Sequence, residues 1–496
     1  MKKARAILAQ VRQREHEEGR LSVKEYISFA LTQFGLGSIG AVPGGQRMLF
    51  YTSIGIDARW AGYIMTFSGI WDLFSDPVVA TIIDRGKADP DRPNRGKFTR
   101  WLAPMVPFFA AASVLMFINP PTNNLTAKIV FCFLAYFIYE VFSTFVNISF
   151  QTMRVVMSPL QDERSNYITF GNISGLLTGA LPGLIPLAFS FLAQSSEYHP
   201  AMMRASTFFL VIAIFFAVLG MVPALFSKNL KERVFAPKRS DNLLENVRTF
   251  FKNKYFLLLW TSNIPNLLAG VSWVAAPFFF IYSVGNFRWQ TYVWTASGVP
   301  TFAVMLLSPI VLKYVQPRTV SIFGRLLNAG CKLGVFFITG ALGYTTTPGL
   351  VVLVVLFTLS SIPSGVQGIA DDICNINTFD YTEWQTGERA EATTFVVGGM
   401  FSKAINHLAP MIAGVLMARA GFVSAAEGMS VTQAPHTRDA LFAFYTIFPA
   451  IAVLLGTIPY FFYKLQGPMF DQVQADLAER RKLAKTQTES EFEHAT

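Results

Sequence analysis

Apolar residues run in long blocks along this chain, and short charged or Pro/Gly/Asn-rich breaks separate the blocks. A membrane-spanning helix needs about 20 mostly apolar residues, and by that measure the blocks predict twelve spans. Their approximate limits are 26–51, 60–83, 101–119, 127–155, 166–193, 205–227, 255–284, 291–314, 319–343, 349–373, 391–420 and 440–465. Several blocks are longer than a bilayer requires, so we expect tilted or kinked helices. The candidate kink sites are Pro43, Pro182, Pro186, Pro265 and Pro410. The pattern predicts an all-α membrane protein of twelve transmembrane helices.

Charges in the breaks indicate which side of the membrane each loop occupies. Residues 84–100 carry six Lys and Arg against three Asp, and residues 228–254 carry eight Lys and Arg against three acidic residues. The loops near 120–126 and 421–437 contain neither Lys nor Arg. Cytoplasmic loops are enriched in Lys and Arg. We therefore expect a multi-pass protein of the plasma membrane with both termini in the cytoplasm.

The composition excludes several classes of protein. Of the 496 residues, 52% are hydrophobic and 15% are charged, against about 25% charged in a soluble domain. The cytoplasmic loops account for the net charge of +10, so we expect no nucleic-acid partner. The three cysteines show no CxxC spacing and indicate neither a disulfide framework nor a zinc site. No Walker, HExxH, GxSxG or dinucleotide motif stands in its required context. We expect a transporter that is driven by an ion gradient. We do not expect an enzyme, and we expect no cofactor to be required.

A short repeat divides the chain into two parts. Glu163-Arg164-Ser165 followed by Thr169-Phe170 recurs as Glu388-Arg389-Ala390 followed by Thr394-Phe395, at a constant offset of 225 residues. The copies follow the fourth and the tenth predicted spans, as expected for two parallel six-helix halves of a major facilitator protein. The predicted organisation is a cytoplasmic N-terminal helix at 1–25, a six-helix bundle at 26–227, a cytoplasmic connector at 228–254, a second six-helix bundle at 255–465 and a cytoplasmic tail at 466–496.

Two acidic residues lie inside the second predicted span. Asp72 and Asp76 are four residues apart, so both carboxylates project from one helix face. A single charge at mid-bilayer costs ~2.5–3.5 kcal/mol, and two like charges also repel. A bound cation relieves both penalties, and so does a proton on one carboxylate. We interpret the pair as a cation site, with Na⁺ bound there if coupling is to sodium. The alternative is a pair that is salt-bridged to a structural Arg or Lys.

A polar stripe follows one face of the fourth span. Its members recur at steps of four and three and are Glu140, Thr144, Asn147, Gln151 and Arg154. Lipid cannot satisfy these groups, so the stripe faces either the protein interior or a water-filled cavity. A cavity lining is favoured over interhelical hydrogen bonds, and Arg154 is expected to extend to the interface.

Two cations accompany these groups in other spans. Lys403 is the only Lys or Arg of the eleventh span before Arg419 at its end. It can neutralise the Asp72/Asp76 pair, contact a solute or form a structural ion pair. His407, one turn later, is interpreted as a packing residue. Arg47 lies near the outer end of the first span. Either it faces the cavity and favours an anionic solute, or it reaches the headgroups.

The segments IWDLFSDP with RGKFTRW, ERSNYITF, and DYTEW with GERAEATTF resemble the glycoside–pentoside–hexuronide:cation symporters, whose best-known member is the melibiose permease. The resemblance covers roughly residues 26–465. It implies a twelve-helix major facilitator fold and alternating access coupled to Na⁺, Li⁺ or H⁺.

The resemblance also implies roles for individual residues. Asp72, Asp76 and Thr144 match the cation-site residues of that family, and Ser75 stands where the melibiose permease has a cation-site Asn. Lys403 matches the Lys between the cation and sugar sites. The charged network that closes the cytoplasmic side corresponds to Arg164, Asp380, Arg389 and Glu391.

The sugar-binding residues of the melibiose permease are replaced by other residues in this sequence. Its two sugar-binding Asp residues become Gly37 and Asn147, its stacking Trp becomes Gln151, and an Arg on the fifth span becomes Asn172. Galactoside specificity is therefore not expected. These four positions, together with Arg47 and Lys403, are the candidate solute-binding residues, and the two retained cations favour an acidic sugar.

The leading hypothesis is a symporter that couples entry of Na⁺ or H⁺ to uptake of a sugar or glycoside-like solute. One alternative is a cation-coupled lysolipid or amphiphile transporter on the same fold, and another is a membrane sensor without transport. The expected partners are a small-molecule solute, a monovalent cation and the lipid bilayer. Transporters of this fold are commonly monomers, and by analogy we expect a monomer.

Overall fold

The computed structural model describes residues 20–84, 96–158, 161–194, 205–233, 253–386, 391–424, 431–477 and 479–480. Every regular element in these ranges is helical. The elements of the first half are Val23–Ser53, Ala58–Asp84, Thr99–Leu115, Leu125–Val156, Gln161–Ala180 with the 3₁₀ turn Leu181–Leu184 and Ile185–Gln194, and Ala205–Ala224 with the 3₁₀ turn Leu225–Asn229.

The second half repeats this arrangement. Its elements are Lys254–Thr261 with Asn266–Phe278 and the π-helical turn Phe279–Ser283, Arg288–Leu306 with Ser308–Tyr314, Pro317–Gly334 with the π-helical turn Val335–Thr339 and Gly340–Leu342, Thr347–Ser361 with Ser364–Thr386, Glu391–Arg419, and Pro435–Phe462. Among the described residues these elements group into twelve spans, named first to twelfth in this order. A further helix follows at 468–477.

Local sequence signals explain where several helices begin and break. Ser22 and Glu25 form a reciprocal capping box at the start of the first span. Pro182 lies in the 3₁₀ turn that interrupts the fifth span, and Pro265 precedes the second helix of the seventh. The helix continues through Pro43 and Pro410, where kinks were expected.

The twelve spans differ in how long and how apolar their helices are. Six of the described helices are long and apolar enough to cross a membrane by length and composition. The first two spans are not among them, and these are the spans that carry Arg47 and the Asp72/Asp76 pair. Charged groups inside a span lower its mean hydropathy, although the fourth span, which carries Glu140, is among the six.

The two halves are packed together along the second and eleventh spans. Thr66 Oγ1 donates a hydrogen bond to the carbonyl of His407 over 2.7 Å. At Gly62 the backbones approach so closely that an added Cβ would lie 2.5 Å from the carbonyl oxygen of Pro410. Only glycine fits a contact of this kind.

A second contact between the halves joins the fifth and eighth spans. Thr291 Oγ1 donates to the carbonyl of Gly183 over 2.6 Å, and the rings of Phe189 and Phe287 meet edge to face at 5.7 Å. Both contacts lie toward the end of the bundle that the loop charges predict to be the outer end. The halves are therefore closed against each other at that end.

Charged and polar groups order the opposite end of the first half. Glu232, after the sixth span, accepts hydrogen bonds from the backbone N–H groups of Lys97, Phe98 and Thr99 at 2.7–2.9 Å. It thereby caps the third span from a distant part of the sequence. Arg233 pairs with Glu25 at 2.9 Å.

The helix at 468–477 packs on the tenth span. Val473 and Leu477 are buried, and Trp384 Nε1 donates to Asp476 Oδ2 over 2.8 Å. This packing accompanies an extension of the tenth span to Thr386, well beyond the predicted limit of 373. Most of the predicted N-terminal helix, connector and tail lies outside the described residues. The parts that lie outside are residues 1–19, 234–252 and 481–496, respectively.

Candidate functional site

The acidic pair of the second span meets the lysine of the eleventh. Lys403 Nζ donates to Asp72 Oδ2 over 2.9 Å and to Asp76 Oδ2 over 2.6 Å. The Asp72 side chain is 12% exposed, whereas the Lys403 side chain is 44% exposed. One ammonium thus bridges two carboxylates from the opposite half of the protein.

The fourth span contributes a hydroxyl to the same cluster. Thr144 Oγ1 donates to Asp72 Oδ1 over 2.7 Å, so both oxygens of this carboxylate have partners. Ser75 is buried, and its Oγ donates back to the carbonyl of Asp72 over 3.3 Å. The structure therefore brings Asp72, Asp76, Thr144 and Lys403 together, while the Ser75 hydroxyl bonds its own helix.

The chemistry of this cluster suits a small monovalent ion. It offers carboxylate and hydroxyl oxygens, the ligands that hard cations prefer. The described part of the chain contains no group of three or more His, Cys, Asp or Glu that could hold a metal ion. When Asp72 and Asp76 are both ionised and Lys403 is protonated, the cluster has a formal charge of about −1. One Na⁺ or one proton neutralises that charge.

Arg47 is packed among side chains of the first half. Its guanidinium carbon stacks 4.3 Å from the centre of the Tyr136 ring, and Nη1 is 3.7 Å from Glu140 Oε1. The side chains of Arg47 and Glu140 are 16% and 10% exposed. The guanidinium therefore packs between the first and fourth spans, and its contact with a solute stays a prediction. Glu140 precedes Thr144 by one helical turn, so this pair adjoins the Asp72 cluster.

The structure describes three of the four positions that correspond to sugar-binding residues of the melibiose permease. Asn147 and Gln151 are exposed on the fourth span, and Asn147 Nδ2 donates to Ser143 Oγ over 2.9 Å. An added Cβ at Gly37 would lie 2.7 Å from Thr178 Oγ1. Position 37 therefore has no room for the carboxylate of the melibiose permease. The side chain of Asn172 lies outside the described part of the structure.

Of the predicted cytoplasmic gate, the structure describes one side chain. Asp380 Oδ2 accepts a hydrogen bond from Gln474 Nε2 of the helix at 468–477 over 2.7 Å. Arg389 and the side chains of Arg164 and Glu391 lie outside the described part, so their predicted pairing stays a prediction.

Two buried polar contacts were not foreseen. Arg325 of the ninth span pairs with Asp371 of the tenth at 2.7 Å and stacks 4.5 Å from the Tyr460 ring. The sequence signal was Arg325 in one apolar span and the adjacent Asp371 and Asp372 at the end of the next. Arg154, expected at the interface, instead donates to Gln33 Oε1 over 2.8 Å.

Comparison with known proteins agrees with this architecture. A family profile described as MFS/sugar transport protein matches residues 28–467. The chain is 27% identical over 480 residues to the uncharacterized symporter YjmB of Bacillus subtilis (strain 168), covering 93% of this chain and 97% of that protein. It is 23% identical over 482 residues to the isoprimeverose transporter of Lactiplantibacillus pentosus, covering 93% and 94%.

A further relative is the glucuronide carrier protein homolog of Escherichia coli (strain K12), at 22% identity over 442 residues and 88% and 91% coverage. Among solved structures, the inward-facing bacterial homolog of the human lysosomal transporter Spinster superposes with a TM-score of 0.60 at 15% identity, covering 91% of this chain and 98% of that one. That likeness shows the fold. The chain therefore belongs to the MFS/sugar transport protein family, and it is a multi-pass membrane transporter of the major facilitator fold and not an enzyme.

Proposed function

We propose that this protein is a secondary active symporter that couples entry of Na⁺ or H⁺ to uptake of a sugar or glycoside-like solute by alternating access. The observation that carries the proposal is the contact of Lys403 with Asp72 and Asp76. These three charges belong to different halves of the transporter. Any movement of the halves that separates the second and eleventh spans must break the contact.

This arrangement supplies a physical basis for coupling. Separating Lys403 from the acidic pair leaves two like charges in a low-dielectric site, which is costly. A cation bound to Asp72 and Asp76 takes over the role of the ammonium and removes that cost. Because the cation binds the two arrangements of the halves with different affinity, its gradient biases their populations.

The proposed ligands of the cation are Asp72, Asp76 and Thr144. The Thr144 hydroxyl now donates to Asp72, and rotation about its C–O bond turns an oxygen lone pair toward a cation. Ser75 contributes only if its hydroxyl leaves the Asp72 carbonyl. We place the protein in the plasma membrane with both termini in the cytoplasm, as the loop charges indicate.

The solute site is proposed between the halves, next to the exposed Lys403 side chain. Asn147 and Gln151 of the fourth span offer neutral hydrogen-bonding groups there, as polyol recognition requires. Relatives are named for isoprimeverose and for glucuronide, so both neutral and acidic sugars are within the range of the family.

A thermal-shift screen of the purified protein tests this proposal. Neutral glycosides, uronides and lysolipids are each added with and without Na⁺, at neutral and at mildly acidic pH. A ligand that binds the folded state raises its apparent stability by mass action. We expect stabilisation by a sugar that grows with Na⁺ or with protons. Stabilisation by lysolipids alone would assign an amphiphile transporter, and a cation effect without any solute effect would favour the sensor.

A further inference from the structure

The Arg47–Glu140 pair is not a well-satisfied salt bridge. The contact between Nη1 and Oε1 spans 3.7 Å, beyond hydrogen-bond distance. Both Nε and Nη1 of Arg47 are buried without a hydrogen-bond partner. Burying a guanidinium whose N–H donors lack acceptors costs free energy. Those donors have the capacity to bind another anion.

The orientation of Arg47 suits an incoming planar anion. The ring of Tyr136 stacks on one face of the guanidinium, which holds the side chain in place and leaves its edge for hydrogen bonds. The guanidinium edge binds carboxylates through parallel N–H donors.

Open space borders the first span one turn before Arg47. Gly44 and Gly45 precede Arg47 by three and two residues, and an added Cβ at either position would meet no atom within 4 Å. Residues three apart share a helix face, so the space at Gly44 lies on the side of the first span that carries Arg47. Arg325 also has one buried donor without a partner, but its Nη2 hydrogen-bonds both Asp371 and Tyr460, whereas the contact of Arg47 with Glu140 spans 3.7 Å.

We propose that Arg47 anchors an acidic group on the transported solute, and that Glu140 is the resident anion that this group replaces. The inference rests on the proposed function and names the solute class of the same site. When the solute anion binds the Arg47 guanidinium, Glu140 loses its partner. Glu140 lies one turn from Thr144 and close to the Asp72 cluster. The added negative charge strengthens attraction for the coupling cation. Acidic solutes therefore bind more cooperatively with the cation than neutral solutes do.

Two matched probes test the proposal on the full-length protein in nanodiscs. Methyl β-D-glucuronide and methyl β-D-glucoside differ only at the carboxylate, and binding of each is titrated with and without Na⁺. We expect the wild type to prefer the glucuronide about tenfold or more, the scale of one charge-assisted contact. Addition of Na⁺ should increase that preference.

Three variants separate anchoring from a structural role. Arg47→Gln should abolish the preference. Glu140→Gln should tighten glucuronide binding by about threefold or more, because the competing anion is gone. The double variant Arg47→Gln/Glu140→Gln places two neutral amides at these positions and leaves no buried charge without a partner. It should bind the two probes with equal affinity and so show no preference for the acid.

The outcomes are distinct. A glucuronide preference that persists in the double variant overturns the assignment of Arg47, and weaker glucuronide binding in Glu140→Gln overturns the replacement of Glu140. A wild type that binds only the glucoside, and does so better with Na⁺, overturns the acidic class and leaves the proposed function standing. Binding of neither probe, with no response to Na⁺ or to acid pH, overturns both.

Discussion

Lys403 of the eleventh span donates from Nζ to Asp76 Oδ2 of the second span over 2.6 Å, so a hydrogen-bonded ion pair joins the two halves of the transporter. The same ammonium reaches Asp72 at 2.9 Å. Under the proposed function, Lys403 occupies the position that the coupling cation takes, so ammonium and cation compete for the same carboxylates.

Replacing Lys403 tests this competition. Lys403→Ala should raise the affinity for the coupling cation about tenfold or more, because a close positive charge is removed from two carboxylates. It should also slow the return of the empty carrier, whose two carboxylates then have no counter-charge. Na⁺ titration of tryptophan fluorescence measures the first effect and radiolabelled solute uptake the second. Lys313→Ala, at an exposed position near the end of the eighth span, is the control. Unchanged cation affinity in Lys403→Ala would remove the bridging role.

The glycine contact between the halves leads to a second prediction. Gly62→Ala places a methyl group 2.5 Å from the Pro410 carbonyl and should destabilise the closed arrangement by about 1–3 kcal/mol through overpacking. Reactivity of cysteines introduced at the predicted outer end should rise with it. Gly330→Ala adds the same methyl group where no atom lies within 4 Å, and it should have no such effect. Equal behaviour of the two variants would show that this contact does not hold the halves together.

The Arg325–Asp371 pair is expected to be structural. Asp371→Leu leaves a buried guanidinium without its carboxylate, so we expect a loss of stability of about 3–5 kcal/mol. The double variant Arg325→Met/Asp371→Leu should recover most of that loss. It should also retain solute uptake, because the pair lies between the ninth, tenth and twelfth spans and away from Lys403. Thermal unfolding and uptake are measured on the same preparations. A stable double variant without uptake would assign the pair a part in transport.

The helix at 468–477 should stabilise the second half. Leu477 is 2% exposed, and Leu477→Ala is expected to lower stability by about 2–5 kcal/mol. Gln472→Ala, at an exposed position on the same helix, is the matched control. Equal melting temperatures for the two variants would indicate that the helix does not dock on the tenth span in solution.

The hydrophobic pattern predicted the membrane-spanning helices well, because each long apolar block can satisfy its backbone in lipid only as a helix. The tenth span was the exception. Residues 374–386 are polar on one side and continue the helix by packing on residues 468–477, a partner that lies about 90 residues further along the chain. Periodicity within one segment carries no information about such a partner.

The site was predictable to a different degree for each residue. Intramembrane charges identified Asp72, Asp76 and Lys403 as candidates, and the structure places them in contact. Their role in cation binding stays a prediction. The direction of Arg47 could not be derived, because a long side chain near a helix end can turn either way. In the structure its side chain stacks on Tyr136 and lies near Glu140, and both contacts are products of tertiary packing.

Solute accumulation in proteoliposomes tests the central claim most directly. A sugar found in the thermal-shift screen is offered under an imposed inward gradient of Na⁺ or of protons, and uptake against the solute gradient is measured for the wild type, Asp72→Asn and Asp76→Asn. If the acidic pair couples cation entry to transport, the wild type accumulates solute. Each variant then fails to do so while still equilibrating solute down its gradient. Undiminished uphill accumulation in both variants would contradict coupling through Asp72 and Asp76.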